Sequence, residues 1–307
     1  MHHPSVCESG VVRMPQPAPG WLMEMVRQGK KVGACRLHFY TSSQIEGNNL
    51  NTVCEGARCP NRGNCYSRGA ATFMILGAVC TRRCTFCAVE KGVPVRPDSD
   101  EPHRLALAAH NLKLSHVVVT SVTRDDLSDG GAGQFASVIR ELHLLESPPS
   151  VEVLTPDFKG STRAIKTVVD TCPEVFGHNL ETVPRLYRQV RPGAEYRRSL
   201  DLLAAVRWMD PSVITKSGLM LGLGETEKDV RQVLLDLLNA GVGMLTVGQY
   251  LAPSLRHFPV HRYVTPEEFK DWEKEALSMG FRSVASAPLV RSSYQAGDYF
   301  REVIAHG

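Results

Sequence analysis

From Ala71 to Tyr250 the chain alternates short apolar runs with longer amphipathic stretches, and this rhythm leaves few folds open. The strand-length runs are 71–76, 116–122, 151–155, 175–179, 213–221 and 243–250. Between them lie helix-length stretches at 102–114, 133–146, 161–170, 183–190, 199–209 and 227–240. Strands separated by helices in this way imply β/α units around a parallel sheet. Six units fall short of the eight that close a full barrel, so an α/β fold is expected, an open, partial (β/α)6 TIM-type barrel with its chemistry at the C-terminal strand ends. Residues 1–66 would form an N-terminal extension and 67–264 the barrel. Residues 265–307, with a helix over 265–280 and a strand over 281–287, would form a C-terminal extension, and both extensions would close the barrel mouth.

Composition removes several alternatives. Hydrophobic residues at 43% and charged residues at 22% are globular values, which argues against intrinsic disorder. A formal charge of +3 is too small to imply a nucleic-acid partner. The most apolar stretch, 70–80, is interrupted by Thr72 and Gly77 and falls short of the roughly 20 residues of a membrane span. Residues 1–20 lack both a continuous apolar signal core and an Arg- and Ser-rich presequence, so the cytoplasm is the expected location.

Six of the nine cysteines, Cys54, Cys59, Cys65, Cys80, Cys84 and Cys87, fall within 34 residues, whereas Cys7, Cys35 and Cys172 are scattered and read as plain thiols. Without an export signal, such density points to metal or redox chemistry before disulfides. The six divide into two triplets, spaced C-x4-C-x5-C and C-x3-C-x2-C. Structural zinc usually takes two short-spaced pairs, and only Cys84 and Cys87 have that spacing. Four-iron clusters ordinarily take four cysteines, so a triplet leaves one iron open to another ligand.

The loop Cys80-Thr-Arg-Arg-Cys84-Thr-Phe-Cys87, following the strand-like run 71–76, resembles the signature of radical S-adenosylmethionine enzymes. Their three cysteines hold a 4Fe-4S cluster whose fourth iron is chelated by S-adenosylmethionine. Gly218, Gly222 and Glu225 resemble the G-x-x-x-G-x-x-E pattern by which such enzymes approach the adenine. The competing reading is a tight strand-to-helix turn N-capped at Thr226. Walker A and dinucleotide fingerprints are not met.

Taken with the first triplet and the tail, the stretch from about residue 50 to 300 resembles the lipoyl synthases. The segments are Cys54-Glu-Gly-Ala-Arg-Cys59-Pro-Asn-Arg-Gly-Asn-Cys65, Ala71-Thr-Phe-Met74, Thr123-Arg-Asp-Asp-Leu127, His178-Asn-Leu-Glu-Thr182, Gln249-Tyr-Leu251, His257-Phe-Pro-Val260 and Arg291-Ser-Ser-Tyr294. Ser128 stands where the family often has proline, Tyr66 where tryptophan is common and Ala252 where a longer side chain is usual. No ligand is lost by these departures.

The resemblance implies insertion of two sulfur atoms at C6 and C8 of a protein-bound octanoyl-lysine. These carbons offer no acidic proton, so a radical is required in place of acid-base catalysis. Cys80, Cys84 and Cys87 would hold the cluster that cleaves S-adenosylmethionine, two molecules per lipoyl product. Cys54, Cys59 and Cys65 would hold a second 4Fe-4S cluster that donates sulfur, with Ser293, or else Ser292, as its oxygen ligand. Asn179, Glu181, Lys216 and Arg191 are candidate S-adenosylmethionine contacts, as are Asp125 and Asp126, with capping and salt bridges as the alternative. Arg124, Arg197 and Arg198 are further candidates for a carboxylate or an acidic carrier surface.

Implied partners are octanoylated carrier domains of 2-oxoacid dehydrogenases and the glycine cleavage H protein, an electron donor such as flavodoxin or ferredoxin, and an iron-sulfur cluster carrier. Three competing readings remain: another radical sulfur inserter of the biotin synthase or methylthiotransferase type, an iron-sulfur electron-transfer or carrier protein, and a structural zinc protein.

Overall fold

The computed structural model describes residues 17–31 and 35–305; Cys7 lies outside them. Its centre is a parallel seven-stranded sheet formed by β1 (Thr72–Ile75), β4 (His116–Ser121), β5 (Ser150–Leu154), β6 (Val175–Gly177), β7 (Ile214–Leu221), β8 (Met244–Gln249) and β9 (Ser283–Ala287), in that spatial order. The short strands β2 (Val79–Cys80) and β3 (Glu90–Lys91) pair with each other around the second cysteine triplet. Register is continuous, with Val119 opposite both Phe73 and Val153, and Leu219 opposite Val247. No hydrogen bonds join β1 to β9 among the described residues, so the sheet curves into an open, partial barrel.

The strand assigned to the C-terminal extension, β9, pairs with β8 from Met244–Ser283 to Gly248–Ala287 and extends the six-strand sheet by one. Its residues Ser283, Val284, Ala285 and Ser286 are buried, and their small volumes allow close packing against α11 (Pro266–Met279). The segment therefore belongs to the sheet itself.

The helices cover the outer face. In α5 (Glu101–Asn111), α6 (Ala132–His143), α7 (Thr162–Val169), α9 (Tyr196–Met209) and α10 (Glu227–Asn239), one apolar stripe faces the strands; in α10 it is Val230, Val233, Leu234 and Leu237. Thr226 caps α10 as its sequence suggests, and Asp229 completes a capping box. Thr265 and Glu268 do the same for α11, which stops at Gly280 with φ +117°. The stretch expected as a helix over 183–190 is a 3-10 turn, Pro184–Leu186, followed by the single-turn helix α8 (Tyr187–Val190).

Before the barrel come α1 (Gly20–Lys31), α2 (Arg36–Gly47), α3 (Val53–Gly56) and α4 (Arg62–Ser67); after β9 comes α12 (Ala296–Ala305). Helix α12 buries Ala296, Phe300 and Val303. Its Phe300 ring lies 5.3 Å from that of His116 at the start of β4. No helix among the described residues is long and apolar enough to cross a membrane.

Candidate functional site

The second cysteine triplet is fixed from three directions. Val79 and Cys80 pair with β3, and the Gly92 N–H donates to the Cys80 carbonyl. The Thr123 backbone N–H, beyond β4, donates to Cys80 Sγ at 3.3 Å. On the far side the Thr85 N–H donates to the Val190 carbonyl of α8, and the Phe258 N–H donates to the Thr85 carbonyl. Arg82 bolts the middle of the loop to the barrel, giving two hydrogen bonds to Asp125 (2.8 and 3.0 Å) and one to Asp157 (2.5 Å).

The first triplet is built on two short helices. Thr52 N-caps α3, which carries Cys54, while α4 carries Cys65; Arg58, at φ +53°, turns the chain between them so that Cys59 joins the pair. Asn61 Nδ2 donates to the Leu289 carbonyl at 2.7 Å and ties this hairpin to the C-terminal segment.

Both triplets line one cavity of about 810 Å³ at the C-terminal ends of the strands. Between them lies Arg291-Ser-Ser-Tyr294. Ser293 Oγ accepts a 2.7 Å hydrogen bond from Thr72 Oγ1, and Thr72 lies beside Cys54. Ser292 faces the other way, its Oγ accepting a 2.6 Å bond from Asn179 Nδ2. The two serines thus point to different halves of the cavity.

Asn179, Glu181 and Arg191 all line it. Glu181 has φ +65°, a strained conformation for a non-glycine residue of the kind that collects at functional sites. It is held there by backbone bonds to Gly218 and Met220 and by Asn179 Nδ2, 3.0 Å from Oε1. Arg191 Nη1 donates to the carbonyls of Asn179 and Leu180 and to the Tyr187 hydroxyl. Burial raises the Glu181 carboxyl above its ordinary range, opposed by Arg191.

The other candidates have different partners. Lys216, expected near the methionine or ribose groups, is buried and ion-paired to Glu152 at 2.7 Å, and it does not line the cavity. Glu225 accepts from the Gly222 and Leu223 N–H groups and closes its own turn. Gly222, at φ +96°, has the Arg262 carbonyl and Gln249 Nε2 both 2.4 Å from where a Cβ would stand. Gly218 is crowded by Thr246 and Asn179. Tight packing is what these residues do in the structure, and of the glycine motif none lines the cavity.

Asp125 belongs to Arg82 and Asp126 to the buried Arg124. Arg197 pairs with Asp201 on an exposed face, and Arg198 with Asp157 and Glu195. Sequence reasoning missed Met220, which lines the cavity, and carried Thr123, Tyr250 and Arg291 as motif context only. Arg291 lines it too, within electrostatic reach of Cys59 and Glu181. A strand-end position beside a cysteine loop was the available signal for Thr123.

The donor set suits iron-sulfur clusters. Burial pushes the thiols of Cys54 and Cys87 up to about 11 and that of Cys65 up to about 12, and it raises Cys84. Neutral thiols packed this way become ligands by losing their protons to solvent as the metal binds. Among the described residues no three His, Cys, Asp or Glu side chains converge at single-ion distance. The thiolates around a four-iron cluster each take a different iron, and each triplet offers three. Among the described residues, the buried lining atoms Asn64 Oδ1, Ser121 Oγ and Arg191 Nε make no protein hydrogen bond and suit a polar ligand. Cys35 and Cys172 are exposed free thiols.

Residues 74–237 match the Radical SAM superfamily model. The chain is 58% identical over 247 residues to the lipoyl synthase of Caldanaerobacter subterraneus subsp. tengcongensis, covering 80% of this chain and 87% of that one. It is 55% identical to the enzyme of Aliivibrio fischeri (83% and 79% covered) and 51% identical to that of Rubrobacter xylanophilus (91% and 85% covered). Among solved structures, methylornithine synthase is similar at TM-score 0.55 with 12% identity, covering 84% of this chain and 74% of that one. SuiB of Streptococcus suis bound to S-adenosylmethionine is similar at 0.54 with 9% identity, covering 73% and 54%. The structural likenesses concern the fold, and the sequence identities carry the rest: the chain belongs to the lipoyl synthase family within the radical S-adenosylmethionine superfamily.

Proposed function

We infer that this chain is a lipoyl synthase in which Cys80, Cys84 and Cys87 hold the S-adenosylmethionine cluster and Cys54, Cys59 and Cys65 hold a sulfur-donating cluster. The observation that carries the reading is the opening of both thiol triplets onto one cavity, since a substrate carbon must meet a radical and a sulfur in succession. When bound, the two clusters and S-adenosylmethionine supply the radical oxidant and the sulfide that unactivated methylene carbons require.

The residues of the chain bind and orient. Asn179, Glu181 and Arg191 would receive the polar end of S-adenosylmethionine, the carboxylate and amide offering acceptors and the guanidinium an unpartnered Nε. Ser293 would be the oxygen ligand of the donor cluster; its hydrogen bond to Thr72, beside Cys54, favours it over Ser292. An oxygen donor binds iron more weakly than a thiolate and releases it more readily. Met220, Tyr250 and Leu251 give the cavity an apolar wall suited to an acyl chain.

The substrates would be octanoylated carrier domains of the 2-oxoacid dehydrogenase and H-protein type, with a flavodoxin or ferredoxin as electron donor, a cluster carrier for rebuilding, and the cytoplasm as location. The division into 1–66, 67–264 and 265–307 is kept as a functional one, the outer parts contributing the donor-cluster ligands. In anaerobically reconstituted protein, Cys84→Ala is expected to abolish deoxyadenosine formation. Cys59→Ala is expected to retain cleavage and lose dithiolation. Lipoyl product at normal yield from Cys59→Ala would reject the donor role.

A further inference from the structure

The cavity has a charged and aromatic margin outside the residues assigned to the clusters and S-adenosylmethionine. Arg68 and Lys113 line the cavity and are also exposed, so they stand at an opening. Neither has an ion pair among the described residues. Asp298, a carboxylate at the same margin, is already paired with Arg301. Helix α2 lies directly beside this opening. Leu37 packs over Gly69, with Cδ2 3.7 Å from where a Cβ would be, and the Tyr40 hydroxyl donates to the Asn111 carbonyl at 3.2 Å, two residues before Lys113.

The outward side of α2 is apolar and aromatic where a solvated helix would be polar. Thr41 and Ile45 are buried beneath, while Phe39 is 65% exposed, Tyr40 43% and Leu37 42%. Arg36, exposed and without an ion pair among the described residues, shares a helix face with Phe39 and Tyr40 at i+3 and i+4. Glu46, the one acid of α2, sits at its far end. Aromatics with arginines, unpaired cations and few acids are the composition of a protein-binding surface for an acidic partner. A nucleic acid fits less well, because the opening leads into apolar lining at Ala70, Leu114 and Ala296 that suits an acyl-lysine arm and offers a phosphate backbone nothing.

We propose that the outer face of α2 (Arg36, Phe39, Tyr40), together with Arg68 and Lys113, docks an acidic face of the octanoyl-bearing carrier domain, whose acyl-lysine arm enters beside Lys113. The proposal rests on the lipoyl synthase reading and names the surface that reading leaves open. The cations would steer the carrier and set its register, with a contribution that weakens as salt screens it.

The test is the affinity of the reconstituted holoenzyme for an acidic octanoylated carrier domain, by fluorescence anisotropy between roughly 0.05 and 0.5 M salt, a range that carries surface charges from long-range to screened. Arg68→Glu/Lys113→Glu is expected to weaken binding by roughly tenfold or more at low salt and to flatten the salt dependence. Arg36→Glu/Phe39→Ser is an independent second variant on α2 alone, with the same expected direction. Iron content and melting temperature equal to the unsubstituted protein identify correctly folded variants. Unchanged affinity and salt slope in a folded variant overturn the docking surface, as does tighter binding of a nucleic acid than of the carrier at low salt. Dithiolation of an isolated octanoyl-lysine peptide by unsubstituted enzyme is measured alongside. Its success with a salt-independent carrier affinity overturns the surface and keeps the function, whereas its failure overturns the function.

Discussion

Replacing Arg82 by methionine probes how the radical-cluster loop is held. The guanidinium spans Asp125 and Asp157, and the side chains are 7% exposed for Arg82 and 0% for Asp157. Methionine keeps the apolar stem and removes three charge-assisted hydrogen bonds. Asp157 is left buried with Arg198 at 3.4 Å and the Lys159 N–H at 3.1 Å. Breaking a buried pair by deleting one partner costs about 3–5 kcal/mol, and the residual partners place this case near 3. Against a total stability of about 5–15 kcal/mol that is a large fraction, and at about 2–4 °C per kcal/mol the melting temperature should fall by roughly 6–12 °C. Acid sensitivity should change as well. The Arg82 guanidinium holds the Asp157 carboxyl down to about 2, below its unfolded range near 3.9, so the pair stabilises the fold above pH ~4 and that contribution is lost as pH falls toward 2. Arg82→Met should lose this slope. Calorimetry of the anaerobic protein at several pH values reads both effects. A melting temperature within a degree of the unsubstituted protein and an unchanged acid slope would refute the idea that this bridge fixes the loop.

Two further perturbations test the site. His178 is buried, and burial with Arg191 nearby lowers its pKa to about 4. Its contribution is fully present above the unfolded value of ~6.5 and is lost as pH falls toward 4, on the order of 3 kcal/mol; His178→Asn should flatten stability over that window in pH-dependent denaturation. For the serines, Ser293→Ala should lower the iron retained by the donor cluster and the lipoyl yield, while Ser292→Ala should chiefly raise the S-adenosylmethionine concentration needed for deoxyadenosine formation. The reverse pattern would exchange their roles.

Much of the fold was legible because strand-length apolar runs and helix-length stripes differ in period, and all seven sheet strands fall on runs read as strands, β9 inside 281–287. Strand β9 was read as an appendage because its Ser-Val-Ala-Ser-Ala composition has little apolar volume; its place depends on β8 and α11, which sequence does not show. Helix α12 was unread because its buried stripe is only Ala296, Phe300 and Val303. The cysteine triplets were legible from spacing. Lys216 was not: a lysine next to a glycine turn resembles a ligand until Glu152, 64 residues away, is brought to 2.7 Å. The local roles of Gly222 and Glu225 were equally out of reach, since Gly222 is crowded by Arg262 and Gln249 from distant segments and Glu225 closes the turn onto the Gly222 N–H. The opposite orientations of Ser292 and Ser293 are likewise set by Thr72 and Asn179 across the cavity.

The most direct measurement is mass spectrometry of an octanoyl-lysine peptide after anaerobic reaction with the reconstituted protein, S-adenosylmethionine and a reductant, alongside counts of deoxyadenosine, iron and sulfide. The account predicts a peptide carrying two sulfur atoms, about two deoxyadenosines per product, and loss of sulfide from the protein. Deoxyadenosine without sulfur in the peptide would contradict the donor assignment of Cys54, Cys59 and Cys65, and the absence of both products would contradict the account as a whole.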